Sequence, residues 1–387
     1  MPLVGFECNV CGGKALQELT EYTPLPRVTG DCKPFPPGGR LAVCVICGAV
    51  QKPTDARWSE EAGFIYDHYE PHFQSSGIEQ AVFDSATGQP RRRSSFILDR
   101  LLAFPGLDER GAVIDIGCGN GVLLSAFAEV RPGWRLFGHE LNELQAEALL
   151  RIPGFERLYT GRLSDLPDGF DLVTMMHSLN CFADPLAALR ELRTKLRQGG
   201  WIFVEVPNAE ATPFDLIIAE TVSHFTRHDM ARLLERARLG ATVIEDNWVT
   251  KELSVVALPE KATVSLPTAP SPAAVIERVA KQIAWLQAVV GGARQAARQA
   301  RGGAFGLFGS SIAAAWLYGQ LSKEVAFFAD EDPSREGASL FGRPIIKPEE
   351  LPAGAVVYVP LIPKIARLVA ERLTRSNARL ALPPDIP

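Results

Sequence analysis

Four of the seven cysteines in this 387-residue chain fall into two pairs, Cys8-x2-Cys11 and Cys44-x2-Cys47. Each pair is followed by glycine, in "CGG" and "CGA". Two residues between thiolates let one tight turn present both sulfurs to a single ion, and glycine supplies the backbone that turn needs. Two such knuckles offer four soft ligands to a tetrahedral Zn2+. A four-thiolate site is coordinatively closed, so the expected metal is structural. Disulfides are the rival reading. They are disfavoured because "MPLVGFECNV" lacks the basic and apolar regions of a secretory signal, which implies reducing, cytoplasmic surroundings. Cys32 stands outside both pairs as a bystander.

The second chemical signal is "GAVIDIGCGNGVLLSAFAEV", residues 111–130. The apolar run Val113–Ile116 reads as a buried parallel strand that leads into Gly117-x-Gly119-x-Gly121 and a helical pattern. Such glycines permit a tight strand-to-helix turn and the close approach of a ligand to the backbone. A glycine fingerprint alone also fits dinucleotide enzymes. Asp115 ahead of the glycines, within "DIGCGNG", resembles the first motif of the Rossmann-like S-adenosylmethionine-dependent methyltransferases. That resemblance puts Asp115, Gly117, Cys118 and Gly119 at the methyl donor. The next strand, "WRLFGHELN", ends at Glu140 and Leu141, where an acid at a strand's carboxyl end can accept both hydroxyls of a ribose. Further on, "FDLVTMM" reads as the fourth strand, and "HSLNCFADP" resembles the loop that closes over the donor. The adenine contact falls on Arg162 in one alignment and on Asp165 in another. His177 has two readings, a lining residue of the donor pocket or a hydrogen-bonded structural histidine.

The third signal is "FDLIIAETVSHFTRHDM", residues 214–230. If it is helical, Glu220 and His224 lie on one face and hydrogen-bond, and a carboxylate beside an imidazole makes a general base. The bland reading is a capping box, Thr226-x-x-Asp229, with His224 packed beneath the helix it starts. The cysteine pairs, the donor motifs and a third α/β segment follow the order found in the sugar C-methyltransferases of deoxysugar biosynthesis, and the chain resembles that family over nearly its whole length. Those enzymes methylate a carbon next to the ketone of a nucleotide-linked keto-sugar. Their usual Tyr-His-Glu-His run falls here on Ile218, Ala219, Glu220 and Thr221. Glu220 and Phe225 match; the Tyr and both His do not. The resemblance further implies an aromatic segment, "FIYDHYEPHFQSSGIEQ", that covers the substrate with Tyr66 and Tyr69. The run Arg91–Arg93, with Arg92 at its centre, would neutralise a diphosphate, with Asn208 and Ser310 as further substrate contacts.

These residues need an α/β frame to position them. Strands alternate with helices and short connections from residue 111 onward, which is the pattern of a parallel, doubly wound sheet. The expected organisation is a zinc-binding module (1–63), a Rossmann-like methyltransferase domain with its connecting segment (64–257), a Pro-rich linker (258–274) and a C-terminal Rossmann-like α/β domain (275–387). In the last, Val275, Val279, Ile283, Leu286 and Val290 recur at helical spacing, and "AFGLFGSSIAAAWL" reads as strand, glycine turn and helix. That makes the uncharged stretch 302–322 buried core and no membrane span. The formal charge of −5 argues against a nucleic-acid partner. The expected ligands are S-adenosylmethionine, structural Zn2+ and a small acceptor; the oligomeric state is left open. The alternatives are O- or N-methylation of another small molecule, a non-catalytic binding protein, and a dehydrogenase, for which "GLFGSS" is a poor fingerprint.

Overall fold

The structure, a computed structural model, describes residues 2–73, 77–79, 81–83, 90–104, 107–259, 263–300, 303–374 and 378–386. Parts of the aromatic segment "FIYDHYEPHFQSSGIEQ" and of the Pro-rich linker lie outside them.

The 7-stranded central sheet runs in the order Phe155–Thr160, Arg135–Glu140, Ala112–Ile116, Phe170–Met176, Leu196–Pro207, Glu252–Pro259, Leu239–Glu245. The first five strands are parallel and the last two pair antiparallel. Ala112–Ile116 is buried along its whole length, as its unbroken apolar run requires. From it the chain builds outward to one edge, then returns to lay Phe170–Met176 on the other side. The carboxyl ends of those two neighbours therefore form a topological switch point, where open α/β sheets bind ligands.

The helix Pro185–Lys195 ends ahead of Gly199 and Gly200, and the strand already begins at Leu196. Gly199 and Gly200 form a bulge, because the register jumps from Phe170↔Leu196 to Leu172↔Trp201. A Cβ on Gly200 would lie 2.8 Å from the Phe170 carbonyl oxygen, so the glycine serves the sheet rather than a helix cap.

A 5-stranded antiparallel sheet contains Pro2–Leu3, Leu16–Glu18, Ala42–Cys44 and Val50–Gln51, and is completed by Ser223–His224 from far along the chain. A 6-stranded sheet near the C-terminus is built around Val325–Ala329, Phe305–Phe308 and Val356–Tyr358, all parallel. The helix Pro272–Gln299, capped by the Ser271 side chain, buries the expected stripe Val275, Val279, Ile283, Leu286 and Val290. That stripe joins Tyr22, Val28 and Leu41 to Leu307 and Trp316 in one core. On its opposite side Leu3, Leu16 and Ala42 of the N-terminal sheet join Ile114 and Val173 of the central sheet in a second core. The N-terminal region is thus a wedge between two cores. No helix among the described residues is long and apolar enough to cross a membrane; Phe305–Phe308 and Ile312–Leu321 are strand and helix of a buried core.

Candidate active site

At the switch point Gly117, Gly119 and Gly121 have φ of +75°, +52° and +79°, a region that favours glycine. A Cβ on Gly117 would come 2.7 Å from the Ser178 Cβ, so this loop can pass the end of the fourth strand only without side chains. Asp115 is buried beneath the loop and accepts a hydrogen bond from the Thr174 hydroxyl at 2.7 Å. Burial pushes its carboxyl up to about 7, with the Glu140 charge adding to the shift. Glu140, at the end of its strand, accepts from the Gly119 amide at 2.6 Å and from the Leu141 amide at 3.2 Å. The acid therefore already faces the glycine loop. Leu141 is 61% exposed, an apolar side chain free to lie under a planar ring. Cys118 is buried, with its sulfur filling the space beside Gly138. Asp165 and Arg162 are both exposed on the turn after Phe155–Thr160, so geometry does not single out either for adenine.

The acceptor side departs from expectation. Residues 214–226 are not a helix: a short turn, Pro213–Ile217, is followed by extended chain and the strand Ser223–His224. Glu220 and His224 therefore do not form a pair. His224 Nδ1 bonds instead to Asp215 Oδ2 at 2.6 Å, with both side chains buried. The capping box of Thr226 and Asp229 is present, as the bland reading required. Glu220 Oε1 accepts from the Gly30 amide at 2.6 Å, while Oε2 is buried without a partner among the described residues. Burial drives this carboxyl up to about 7. A Cβ on Gly30 would lie 2.6 Å from Glu220 Oε1 and 3.1 Å from the Tyr69 hydroxyl, so the acid and the phenol meet over a bare backbone. Burial and then the negative charge of Glu220 raise the Tyr69 phenol well above its ordinary value; for Tyr66 the causes are burial, Cys181 and Glu220. Tyr66, Tyr69 and Glu220 are brought together.

His177 follows the fourth strand with φ +54° and accepts at Nε2 from Arg93 Nη1, 2.9 Å away. Guanidinium only donates, so the imidazole is neutral with its proton on Nδ1. Burial, then Arg93 and His72, hold it well below its usual value.

Residues 90–245 match the model of a methyltransferase-domain family. Two relatives, the ubiquinone biosynthesis O-methyltransferases of Chromobacterium violaceum and Stutzerimonas stutzeri, are 29% and 31% identical to this chain. The matches cover 33% and 36% of this chain, and 60% and 66% of theirs, so it spans less than two thirds of either relative. An S-adenosylmethionine-dependent methyltransferase of known structure from Clostridium acetobutylicum aligns at 16% identity and a TM-score of 0.36, over 43% of this chain and 91% of that one.

Beyond the methyltransferase-domain motifs, three expected substrate contacts are otherwise engaged. Arg92 pairs with Glu129 on the outer surface, whereas its neighbour Arg93 turns inward to His177 and Glu252. Asn208 forms a turn, its side-chain oxygen accepting from the Glu210 amide. The Ser310 hydroxyl donates to Asp330 at 2.6 Å and accepts from the buried Arg335. Gly30 and Asp215 are residues that sequence reasoning missed, and Arg93, expected at a diphosphate with its neighbours, turns out to hold His177. Lys52 was also missed, a buried amine near Glu220 that burial pulls down to about 7.

In the N-terminal module the sulfurs of Cys8, Cys11, Cys44 and Cys47 all lie within 4.8 Å of one another. Two of the separations, Cys8–Cys47 and Cys11–Cys44, are 3.6 Å. A tetrahedral ion with Zn–S bonds of about 2.3 Å needs sulfurs about 3.8 Å apart, so the donor set fits. Gly12 and Gly48, with φ +75° and +83°, close the two knuckles. Cys32 lies outside this cluster, buried in the N-terminal core.

Proposed function

We propose that this chain is an S-adenosylmethionine-dependent methyltransferase acting on a small acceptor, with C-methylation beside the ketone of a nucleotide-linked sugar as the leading reading. The observation that carries it is the Glu140 carboxylate held on the Gly119 amide at the switch point of a methyltransferase-type sheet. The bound donor supplies an electrophilic methyl group. Gly117, Cys118 and Gly119 give it a close backbone cradle, Glu140 takes its ribose hydroxyls, and Leu141 lies under its base. Glu220 holds or removes the acceptor proton, with Tyr66 and Tyr69 excluding water around it. The neutral His177, fixed by Arg93, lines the passage between the two halves. Catalysis then comes mainly from aligning the methyl carbon with the attacking atom, and a base matters most where that atom is carbon. The module 1–63 binds structural Zn2+ through its four cysteines; 64–257 is catalytic and 275–387, after the 258–274 linker, forms the far wall. The two relatives, both ubiquinone biosynthesis O-methyltransferases, support a second reading, O-methylation, in which Glu220 deprotonates a hydroxyl.

Calorimetric titration with S-adenosylhomocysteine tests the reading. Wild type should bind, and Glu140→Ala should bind at least about tenfold more weakly, since hydrogen bonds to a charged group are worth about 1.5–3 kcal/mol. Absence of binding by folded, zinc-loaded wild type would overturn the assignment.

A further inference from the structure

The segment that carries Glu220 is held by the cysteine knuckles as much as by the central sheet. Asn9 follows Cys8 in the first knuckle and donates through Nδ2 to the Ser223 hydroxyl at 3.0 Å. Its backbone N–H donates to Gln51 Oε1 at 2.8 Å, and Gln51 Nε2 returns a bond to the Glu7 carbonyl at 3.0 Å. Gln51 and Val50 are also the strand partners of Ser223 and His224. Upstream, the Lys52 amide donates to the Val222 carbonyl and the Ala219 amide to the Val28 carbonyl, both at 2.8 Å. The Gly30 amide then fixes Glu220 itself. Ser223 is buried, so its bond to Asn9 is sheltered from competing water.

We propose that Asn9 is a positioning residue: through Ser223 it couples the metal-binding knuckle to the loop 218–224 and so sets the place of the Glu220 carboxylate. The functional weight of this coupling rests on the acceptor-side reading above; the coupling itself does not. Two ends of one linkage influence each other equally. A filled knuckle orders the loop, and an anchored loop retains the metal.

The experiment uses the full-length, zinc-loaded protein and three variants, Asn9→Ala, Ser223→Ala and Ser223→Thr, the last keeping the hydroxyl. Hydrogen exchange is followed at the Ala219 and Val222 amides, and metal loss by the rate of transfer to a chromogenic chelator. Losing the bond should speed exchange at 218–224 about tenfold in both alanine variants. Exchange in the strand Ala112–Ile116 and the affinity for S-adenosylhomocysteine should stay at wild-type values. Ser223→Ala, which touches no metal ligand, should release metal several-fold faster, and Ser223→Thr should restore both rates. Unchanged exchange and unchanged metal release in Ser223→Ala would overturn the coupling, as would purification of the wild type without bound metal. Coupling confirmed in a protein where Glu220 variants retain full turnover would leave the inference standing and remove the acceptor-side reading instead.

Discussion

Glu220→Gln should lower methyl transfer by about 10²- to 10⁴-fold, the range expected when a positioned general base is lost. Donor affinity should change by less than about twofold, because the donor cradle is built from other strands. The substitution is nearly isosteric, and the amide oxygen can still accept from Gly30, so the loop should keep its path. Burial sets the sign of the accompanying pH effects. The carboxyl titrates at about 7 in the folded protein against about 4.5 unfolded. As a base it acts only when ionised, so wild-type turnover should rise with pH through about 7, and the variant's residual rate should lose that limb. For stability the sign is opposite. Between the unfolded and folded values the native state holds the extra proton, so wild type becomes less stable as pH climbs through that window. Glu220→Gln removes this term and should be the more stable protein above pH 7. A variant both more stable and inactive separates a role in chemistry from a role in folding. Retention of full turnover on an acceptor found by screening would exclude Glu220 as the base.

The donor half of the site was legible because its information is local. A buried strand, an acid and alternating glycines lie within a few residues of one another, and a second acid ends the next strand. Parallel sheet topology then forces Asp115, Gly119 and Glu140 to meet. The acceptor half was not legible, because its contacts are made across modules. Glu220 looked like the helical partner of His224. Tertiary pairing with Gln51 and Val50 pulled that segment into an extended form, where i and i+4 stand about 13 Å apart and can no longer touch. Asp215 was unreadable as the partner of His224 without knowing that a turn folds it back. Arg92 and Arg93 show how fine the distinction is: one residue at the start of the helix Arg93–Leu102 separates a surface ion pair from a contact with His177. The small sheet of the N-terminal module has two apolar faces, and each is buried against a different neighbour.

Asp215→Ala should destabilise the fold by about 1–3 kcal/mol, the cost of leaving a buried imidazole without its hydrogen-bond partner. The pair is fully enclosed, at 0% and 2% side-chain exposure, and His224 Nε2 has no partner among the described residues, so loss of Asp215 would leave the ring without the hydrogen bond they supply. Replacing both residues by apolar side chains of similar size should cost much less, because no polar group is then stranded. Urea denaturation of the two variants measures the contrast. The histidine's own titration gives a further check. Burial lowers its pKa despite the opposing charge of Asp215, so between the lowered and the unfolded value the unfolded chain binds the extra proton. Stability from the neutral ring is therefore present above the unfolded value, about 6.5, and lost as pH falls through the lowered one. Asp115, Glu205 and Glu220, each raised to about 7, contribute the opposite slope over an overlapping range. Only the difference between wild type and His224→Leu isolates the ring: that variant should lose less stability than wild type on acidification below about pH 6.5. Equal acid sensitivity would mean that His224 is already charged in the native protein, and that the pair is an ion pair rather than a neutral ring beside a carboxylate.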